Sequence, residues 1–345
     1  MWQKWLNWLN YERSAVSESM LTNSSFKPAW WLPSPHLQTL WPVIFRRRAT
    51  PDLYNQRLEL SDGDFVDLCW SRKTEQPVVL LLHGLEGSVH SHYAGSLMLA
   101  LENAGFRPVF MHFRGCSGEP NRLPRSYHSG DTGDLAQVVD YINQASNTPV
   151  HAAIGFSLGG NVLLKWLGQT GDSNPLQLGV AVSVPFMLAD AARRLERGVS
   201  HMYEMHLMSS LKRSYTEKFR RIESPLNVEI GKLKNFWEFD DRVTAPLHGF
   251  SGVDHYYSES SCRQYLAGIK VPTRIIHALD DPFMFPQTVP GAGEVSASVE
   301  IMLARNGGHV GFVTGRYPWK PEYWYEQRII EFLRGKKQVV SVGGR

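Results

Sequence analysis

The stretch VHAAIGFSLGGNVLLKW, residues 150–166, contains the pattern that decides the fold. Its first seven residues are mostly apolar and strand-like, and the residues after Gly160 are typical of a helix. Between them, residues 155–159 match G-x-S-x-G. The motif alone arises by chance in about one in ten chains of this length. A strand before it and a helix after it make it specific, and in that context Ser157 is a candidate nucleophile. The alternative is a glycine-rich helix start without chemistry, or a phosphate cradle.

The regions on both sides of this stretch alternate between strand-like and helix-like segments. Apolar runs predict strands at residues 77–82, 108–112, 150–156, 178–184, 273–278 and 299–304, and a hairpin at 56–60 and 65–70. Helical periodicity lies at residues 93–103, 131–143, 159–168 and 322–334. Such alternation predicts an α/β fold with a mostly parallel, twisted sheet flanked by helices.

One long segment interrupts the alternation. Residues 185–248 are helical and charge-rich, and we interpret them as a helical cap over the carboxyl edge of the sheet, where ligands bind in open α/β sheets. The predicted organisation is a Trp-rich extension (1–32), a core (33–184 and 249–336), this cap insertion and a C-terminal tail (337–345). Apolar cap residues are candidates to line a substrate pocket: Phe186, Met187, Leu188, Met202, Met205, Leu207 and Met208.

A serine hydroxyl needs a base to act as a nucleophile, and in folds built around this motif an acid and then a histidine follow the serine along the chain. Among thirteen histidines, His309 has the best position, because it lies in the glycine-rich loop NGGHVG that follows the last predicted strand. The acid should follow the preceding strand, where Asp280 and Asp281 stand together. We favour Asp281, which directly precedes a proline, and keep Asp280 as the alternative.

Two backbone N–H groups should form an oxyanion hole beside the serine. Leu158, the residue after the serine, is one candidate, and Leu85 in the loop HGLEG after the strand at 77–82 is the other. That loop could also be only a tight turn. Arg114 follows another strand at the same edge, where it would either organise the site or tether loops through backbone carbonyls.

Composition excludes several classes of protein. The net charge is +3, from 36 basic and 33 acidic residues, which is too balanced to predict nucleic-acid binding. Three widely spaced cysteines without a C-x-x-C pair predict neither a disulfide framework nor a zinc site, so we expect a reducing, cytoplasmic location. No apolar run is long enough for a transmembrane helix, and no metal or organic cofactor is implied.

The first residues are unusually rich in tryptophan. Trp2, Trp5, Leu6 and Leu9 would share one face of a helix. That face could pack on the protein's own domain, or it could contact a membrane surface, where tryptophan is favoured. A third interpretation is that translation starts at Met20.

The motifs together resemble the YheT-like branch of the α/β-hydrolases, which also contains plant EMB-type hydrolases and yeast medium-chain ethyl-ester synthases/esterases. The resemblance runs from about Pro33 to the last helix, and it rests on seven stretches: HLQTL (36–40), HGLEGS (83–88), FRGCSG (113–118), YHSG (127–130), EFDD (238–241), DDPF (280–283) and GGHVGF (307–312). It implies the α/β-hydrolase fold and carboxylic-ester chemistry, without a defined substrate.

The predicted function is that of a serine esterase acting on small-molecule esters. Ser157 attacks the ester, His309 transfers the proton and Asp281 orients the histidine. By analogy with the yeast members, short-to-medium acyl groups are the expected substrates. Two alternatives remain: an acyltransferase that moves the acyl group to an alcohol, and a binding protein that keeps the fold without catalysis.

Overall fold

The computed structural model describes residues 24–145 and 149–335. The predicted amphipathic segment at residues 2–9 and the tail at 337–345 lie outside these ranges, so those predictions stay untested.

An eight-stranded sheet forms the centre of the molecule. Its strands are β1 (Leu53–Glu59), β2 (Phe65–Ser71), β3 (Val78–Leu82), β4 (Arg107–Met111), β5 (Val150–Phe156), β6 (Leu178–Val182), β7 (Thr273–Ala278) and β8 (Val299–Ala304). Their order across the sheet is β1-β2-β4-β3-β5-β6-β7-β8. Strand β1 pairs antiparallel with β2 and β2 with β4, and all later neighbours are parallel. The predicted mostly parallel α/β sheet is therefore confirmed.

The two faces of the sheet are covered by different helices. Every residue of β3 is buried, because the strand alternates between two apolar clusters. Val78, Leu80 and Leu82 face one cluster, which includes residues of α3 (Thr132–Ala145) and α4 (Leu158–Thr170). Val79 and Leu81 face the other, which includes residues of α2 (Ala94–Asn103) and α10 (Trp324–Leu333).

Helices alone connect β6 to β7 in the structure. They are α5 (Leu188–Leu195), α6 (Ser200–Phe219), α7 (Phe236–Phe239), a π-helical stretch (Asp240–Thr244), α8 (Ala245–Leu247), α9 (Val253–Ser260) and short 3₁₀ helices, of which Cys262–Gly268 is the longest. Their apolar residues form a separate cluster. That cluster includes Val253, Tyr256 and Tyr257, so the helical packing unit continues beyond residue 248, where the sequence suggested its end.

Two elements near the chain ends have no counterpart in the sequence-based predictions. Helix α1 (Pro35–Phe45) precedes the sheet, and a small antiparallel pair, β9 (Val313–Tyr317) and β10 (Lys320–Tyr323), follows it. The side chain of Gln38 joins them, since it donates to the carbonyl of Val313 and accepts from its N–H. Within the described ranges, no helix combines the length and hydropathy that crossing a bilayer requires.

Candidate active site

The turn between β5 and α4 holds Ser157 in a strained conformation, with φ +50° and ψ −117°. A non-glycine residue rarely adopts a positive φ, and here crowding around the turn imposes it. A Cβ at Gly155 would lie 2.4 Å from the Gly159 carbonyl oxygen, and one at Gly159 would lie 2.5 Å from the His83 carbonyl oxygen. Only glycine fits these two positions, so the serine side chain projects from the carboxyl end of β5 into open space.

His309 lies between Ser157 and Asp281. Its Nε2 is 3.1 Å from the Ser157 hydroxyl oxygen, and its Nδ1 is 2.8 Å from a carboxylate oxygen of Asp281. These contacts fit an Nδ1-protonated ring that donates to Asp281 and accepts from the serine. Phe283 supports both partners: its N–H donates to Asp281, and its ring stacks on the imidazole at 4.0 Å with a 3° interplanar angle.

The two neighbouring aspartates have different contacts. Buried Asp281 accepts from the His309 ring, whereas Asp280 accepts from the backbone N–H of Gly308 at 3.0 Å and from the Asn306 amide. Burial raises the pKa of Asp280. Asp280 therefore holds the backbone of the loop that carries His309 (residues 306–311), which we call the histidine loop. Of the two candidate acids, only Asp281 contacts the imidazole.

Helix α1 braces the other side of the histidine loop. The Thr39 hydroxyl accepts a hydrogen bond from the His309 N–H at 2.9 Å and donates to the Pro35 carbonyl. The packing is so close that a Cβ at Gly308 would lie 2.5 Å from the Pro35 carbonyl oxygen, and one at Gly311 would lie 2.4 Å from that of Gln38. Sequence reasoning did not assign Thr39 or Gln38 to the site, although both lie in the stretch HLQTL that contributed to the family resemblance.

The loop after β3 lies beside the serine. A Cβ at Gly84 would be 3.3 Å from the Ser157 Cβ, and Leu85 and Leu158 both line the cavity that Ser157 opens into. Among the residues described, none accepts a hydrogen bond from the N–H of Leu85 or of Leu158. Both residues that sequence analysis predicts as donors therefore line the same cavity as Ser157.

Buried side chains fix the shape of this loop. His83 accepts from the Phe113 N–H and donates to the Gly84 carbonyl, and burial lowers its pKa to about 3, so it is neutral at physiological pH. Glu86 has a φ of +53° and donates its N–H to the Tyr127 hydroxyl.

Arg114 does not contact Ser157 or His309. Its buried guanidinium pairs with three carboxylates, those of Asp62, Asp64 and Asp134. It tethers loops, as one of the two sequence-based interpretations held, but it does so through carboxylates and not through backbone carbonyls. Three anions around one buried cation offset the cost of removing that cation from water.

A cavity of about 910 Å³ opens beside Ser157, between the sheet edge and the helices that follow β6. Of the seven predicted lining residues, Leu188, Met202 and Leu207 line it. The prediction is wrong for the other four: Phe186 packs in the core of the sheet, Met208 is buried among the helices, Met205 is exposed, and Met187 lies outside the lining. Further apolar residues complete the wall: Leu195, Leu211, Phe236, Phe239 and Val243. The sequence did not indicate which side of each helix faces inward, because helix-on-helix packing decides it.

Known proteins share this fold and much of this sequence. A family model described as the α/β-hydrolase fold matches residues 77–316. The Escherichia coli protein named "Putative esterase YheT" is 41% identical over 90% of this chain and 94% of its own length. The Picea glauca embryogenesis-associated protein EMB8 is 26% identical over 93% of this chain and 75% of its own length.

A relative with a named activity and a solved structure extend the comparison. Mouse phospholipase ABHD3 is 26% identical over 91% of this chain and 79% of its own length. The crystal structure of the Pyrococcus furiosus esterase Pf2001 superposes with a TM-score of 0.54 at 17% identity, covering 84% of this chain and 98% of that one, which supports the fold. The family match and the identity to YheT confirm the resemblance, and this chain belongs to the α/β-hydrolase family, in the branch that contains YheT and EMB8.

Proposed function

We propose that this chain is a serine esterase that cleaves carboxylic esters through an acyl-enzyme on Ser157. The observation that carries the proposal is the position of His309, whose two ring nitrogens contact the Ser157 hydroxyl at 3.1 Å and the Asp281 carboxylate at 2.8 Å. A hydroxyl, an imidazole and a carboxylate in this series are the groups that acyl transfer requires.

The three free cysteines suit a reducing compartment such as the cytoplasm.

In the proposed mechanism, His309 Nε2 takes the hydroxyl proton as Ser157 Oγ attacks the ester carbonyl. The carbonyl oxygen becomes negatively charged and accepts hydrogen bonds from the N–H groups of Leu85 and Leu158, each worth about 3–4 kcal/mol in the transition state. His309 then gives its proton to the leaving alcohol. Water repeats the sequence on the acyl-enzyme and releases the carboxylic acid, while Asp281 stabilises the imidazolium in both halves of the reaction.

The cavity supports short-to-medium acyl groups as the substrate class. Its volume of about 910 Å³ lies near the upper end of the range for small-molecule sites, about 300–1,000 Å³. Apolar side chains from α5 and α6 line it, among them Leu188, Leu195 and Leu211. Such a wall favours an alkyl chain longer than acetyl and disfavours a charged acyl group.

Steady-state kinetics on p-nitrophenyl esters from acetyl to palmitoyl test the proposal. We expect kcat/KM to peak between butyryl and octanoyl, and Ser157→Ala to lower activity more than about a thousandfold. Near-normal activity of the Ser157→Ala variant would disprove the mechanism. A peak at acetyl or palmitoyl would disprove the substrate class alone. Product analysis with added ethanol separates hydrolysis from acyl transfer.

A matched pair of variants on α6 tests whether the cavity binds the acyl chain. Leu211 lines the cavity, whereas Arg213 on the same helix is exposed and outside the lining. Leu211→Phe should move the preferred chain length toward shorter acyl groups, because the larger ring occupies acyl space. Arg213→Phe should leave the preference unchanged. If both profiles coincide with that of the wild type, the acyl chain binds elsewhere.

A further inference from the structure

Helix α1 is inverted with respect to the usual amphipathic pattern, in which apolar residues face the core. Its polar residues Gln38 and Thr39 are buried, with 1% and 5% of their surface exposed, because they bind β9 and the histidine loop. Its apolar residues face outward: Leu37, Leu40, Val43, Ile44 and Phe45 are 37–63% exposed. The helix therefore presents a bare apolar surface on the outside of the protein.

The other large exposed apolar side chains lie in segments that contact α1 or its neighbours. Across residues 24–145 and 149–335, all large exposed apolar side chains outside α1 belong to two segments. At the start of α6 they are Val199, Met202 and Met205. On the β9–β10 hairpin and beside it they are Tyr317, Trp319 and Trp30. Exposed apolar residues are normally scattered singly over a surface. Their concentration here indicates a binding surface.

Specific contacts join the three segments into one region, which we call the rim surface (residues 30–48, 197–205 and 316–320). His36 at the start of α1 contacts the Tyr203 hydroxyl at 3.0 Å. The rings of Trp31 and Trp41 lie 4.6 Å apart. Trp30 donates its indole N–H to the carbonyl of Arg316, in the hairpin, at 3.1 Å.

The rim surface borders the cavity. Leu40 and Val43 of α1, together with Val199 and Met202 from the start of α6, belong to both the rim surface and the cavity lining. Whatever binds the rim surface therefore lies directly at the opening that leads to Ser157.

The charge of the rim surface is of one sign. Its exposed charged side chains are Arg47, Arg48, Arg197, Arg316 and Lys320. Its one acidic residue, Glu204, is buried, and the exposed carboxylates nearest in sequence, Glu196 and Glu322, lie just outside its bounds. Among the described residues, no carboxylate forms an ion pair with any of these five cations. Exposed tryptophans between cations are typical of proteins that sit at the headgroup level of a bilayer.

We propose that the rim surface binds the face of an anionic phospholipid bilayer, with the cavity mouth directed at the lipid. A second copy of the chain would bring two cationic surfaces together, which repel each other. A bilayer with anionic headgroups supplies both the apolar layer for α1 and the counter-charge for the arginines. The proposal concerns binding, so it goes beyond the proposed esterase activity and its test does not depend on that activity.

Vesicle co-sedimentation of the full chain tests the proposal, with phosphatidylcholine vesicles compared with vesicles that also contain phosphatidylglycerol. We expect the wild type to bind the anionic vesicles. The double variant Leu37→Gln/Ile44→Gln should bind them about tenfold more weakly, because it removes exposed apolar side chains that contact the bilayer. Neither residue belongs to the cavity lining. Arg47→Gln/Lys320→Gln should weaken binding about tenfold or more at low salt and less at high salt.

Lys73→Gln/Lys270→Gln is the matched control for charge, since these exposed lysines precede β3 and β7 and so lie at the opposite edge of the sheet; its binding should equal that of the wild type. Circular dichroism melting checks that each variant is folded. Three results would overturn the proposal: no binding by the wild type, unchanged binding of both rim variants, or a loss confined to Trp2→Gln/Trp5→Gln. A dimer in light scattering that Leu37→Gln/Ile44→Gln dissociates, without vesicle binding, would assign the rim surface to a second copy.

Discussion

The turn that carries Ser157 and the loop that carries His309 meet at one hydrogen bond, but different parts of the chain hold them. The serine turn is fixed by the strand before it, the helix after it and the end of β3, all elements of the regular sheet alternation. The histidine loop is fixed by α1, which precedes the sheet, and by Asp280. Both contain residues with positive φ, Ser157 in one and Gly308 and Val310 in the other.

A local pattern can therefore position a nucleophile, whereas the base that activates it depends on contacts that are distant in sequence. About 270 residues separate Thr39 from His309. Changes in the serine turn should affect the nucleophile directly, and changes at the contact between α1 and the histidine loop should affect catalysis through the position of the imidazole. Three substitutions on the histidine side test this comparison.

The largest effect should come from Asp281→Asn. An asparagine at this position would favour the wrong imidazole tautomer, at a cost of up to about 10⁴ in kcat. Asp280→Asn should lower kcat by less than about tenfold, because its oxygen can still accept from the Gly308 N–H. Measurement of kcat with p-nitrophenyl butyrate compares the two. If Asp280→Asn is the more damaging change, Asp280 and not Asp281 is the catalytic acid.

A smaller but still large effect is expected from Gly308→Ala. The new Cβ would lie 2.5 Å from the Pro35 carbonyl oxygen at a backbone φ of +62°, so the loop must move away from α1. A displacement of about 1 Å costs about 10² in rate, and we expect a drop of this size in kcat together with a lower Tm.

Gly63→Ala is the control for backbone strain alone, since Gly63 has a φ of +82° with no heavy atom within 4 Å of the added Cβ. It should lower Tm modestly and leave kcat unchanged. Equal kcat values for Gly308→Ala and the wild type would show that α1 does not position His309.

The smallest effect should come from Thr39→Val, which keeps the shape of the side chain and removes the acceptor of the His309 N–H. A buried N–H without an acceptor costs about 1–3 kcal/mol of free energy. The histidine loop should shift to relieve this cost, and the resulting displacement of the imidazole should lower kcat about tenfold. Thr39→Ser should restore kcat and its pH profile. A serine variant as impaired as the valine variant would assign Thr39 a packing role only.

The same contrast explains how much the sequence could predict. The strands and helices of the sheet were predictable because apolar runs and helical periodicity are local signals, and residues 150–166 carry both the strand–turn–helix context and the serine. Glycines around His309 indicated a tight loop, which selected one histidine among thirteen.

Helix α1 was not predictable from the same rules. Two of its buried residues, Gln38 and Thr39, are polar, whereas most of its apolar residues are exposed. The usual rule that the apolar side of a helix faces the core therefore gives the wrong orientation for α1. The buried side of α1 is specified by hydrogen bonds from Gln38 and Thr39 to residues about 270 positions away, and no local pattern contains this information. Packing between helices, which no local pattern contains either, decides which side of each helix faces the cavity. Only three of the seven predicted lining residues therefore line it.

Site-mapped labelling with a fluorophosphonate is the sharpest test of the proposed mechanism, because the probe reacts only with an activated serine. We expect one adduct, located by mass spectrometry on Ser157. The adduct should form at the same rate in the wild type and in Ser258→Ala, the control that removes an exposed serine. We expect no adduct in Ser157→Ala, and adduct formation slowed about a hundredfold or more in His309→Ala. An adduct on another residue, or an unchanged labelling rate without His309, would contradict the account.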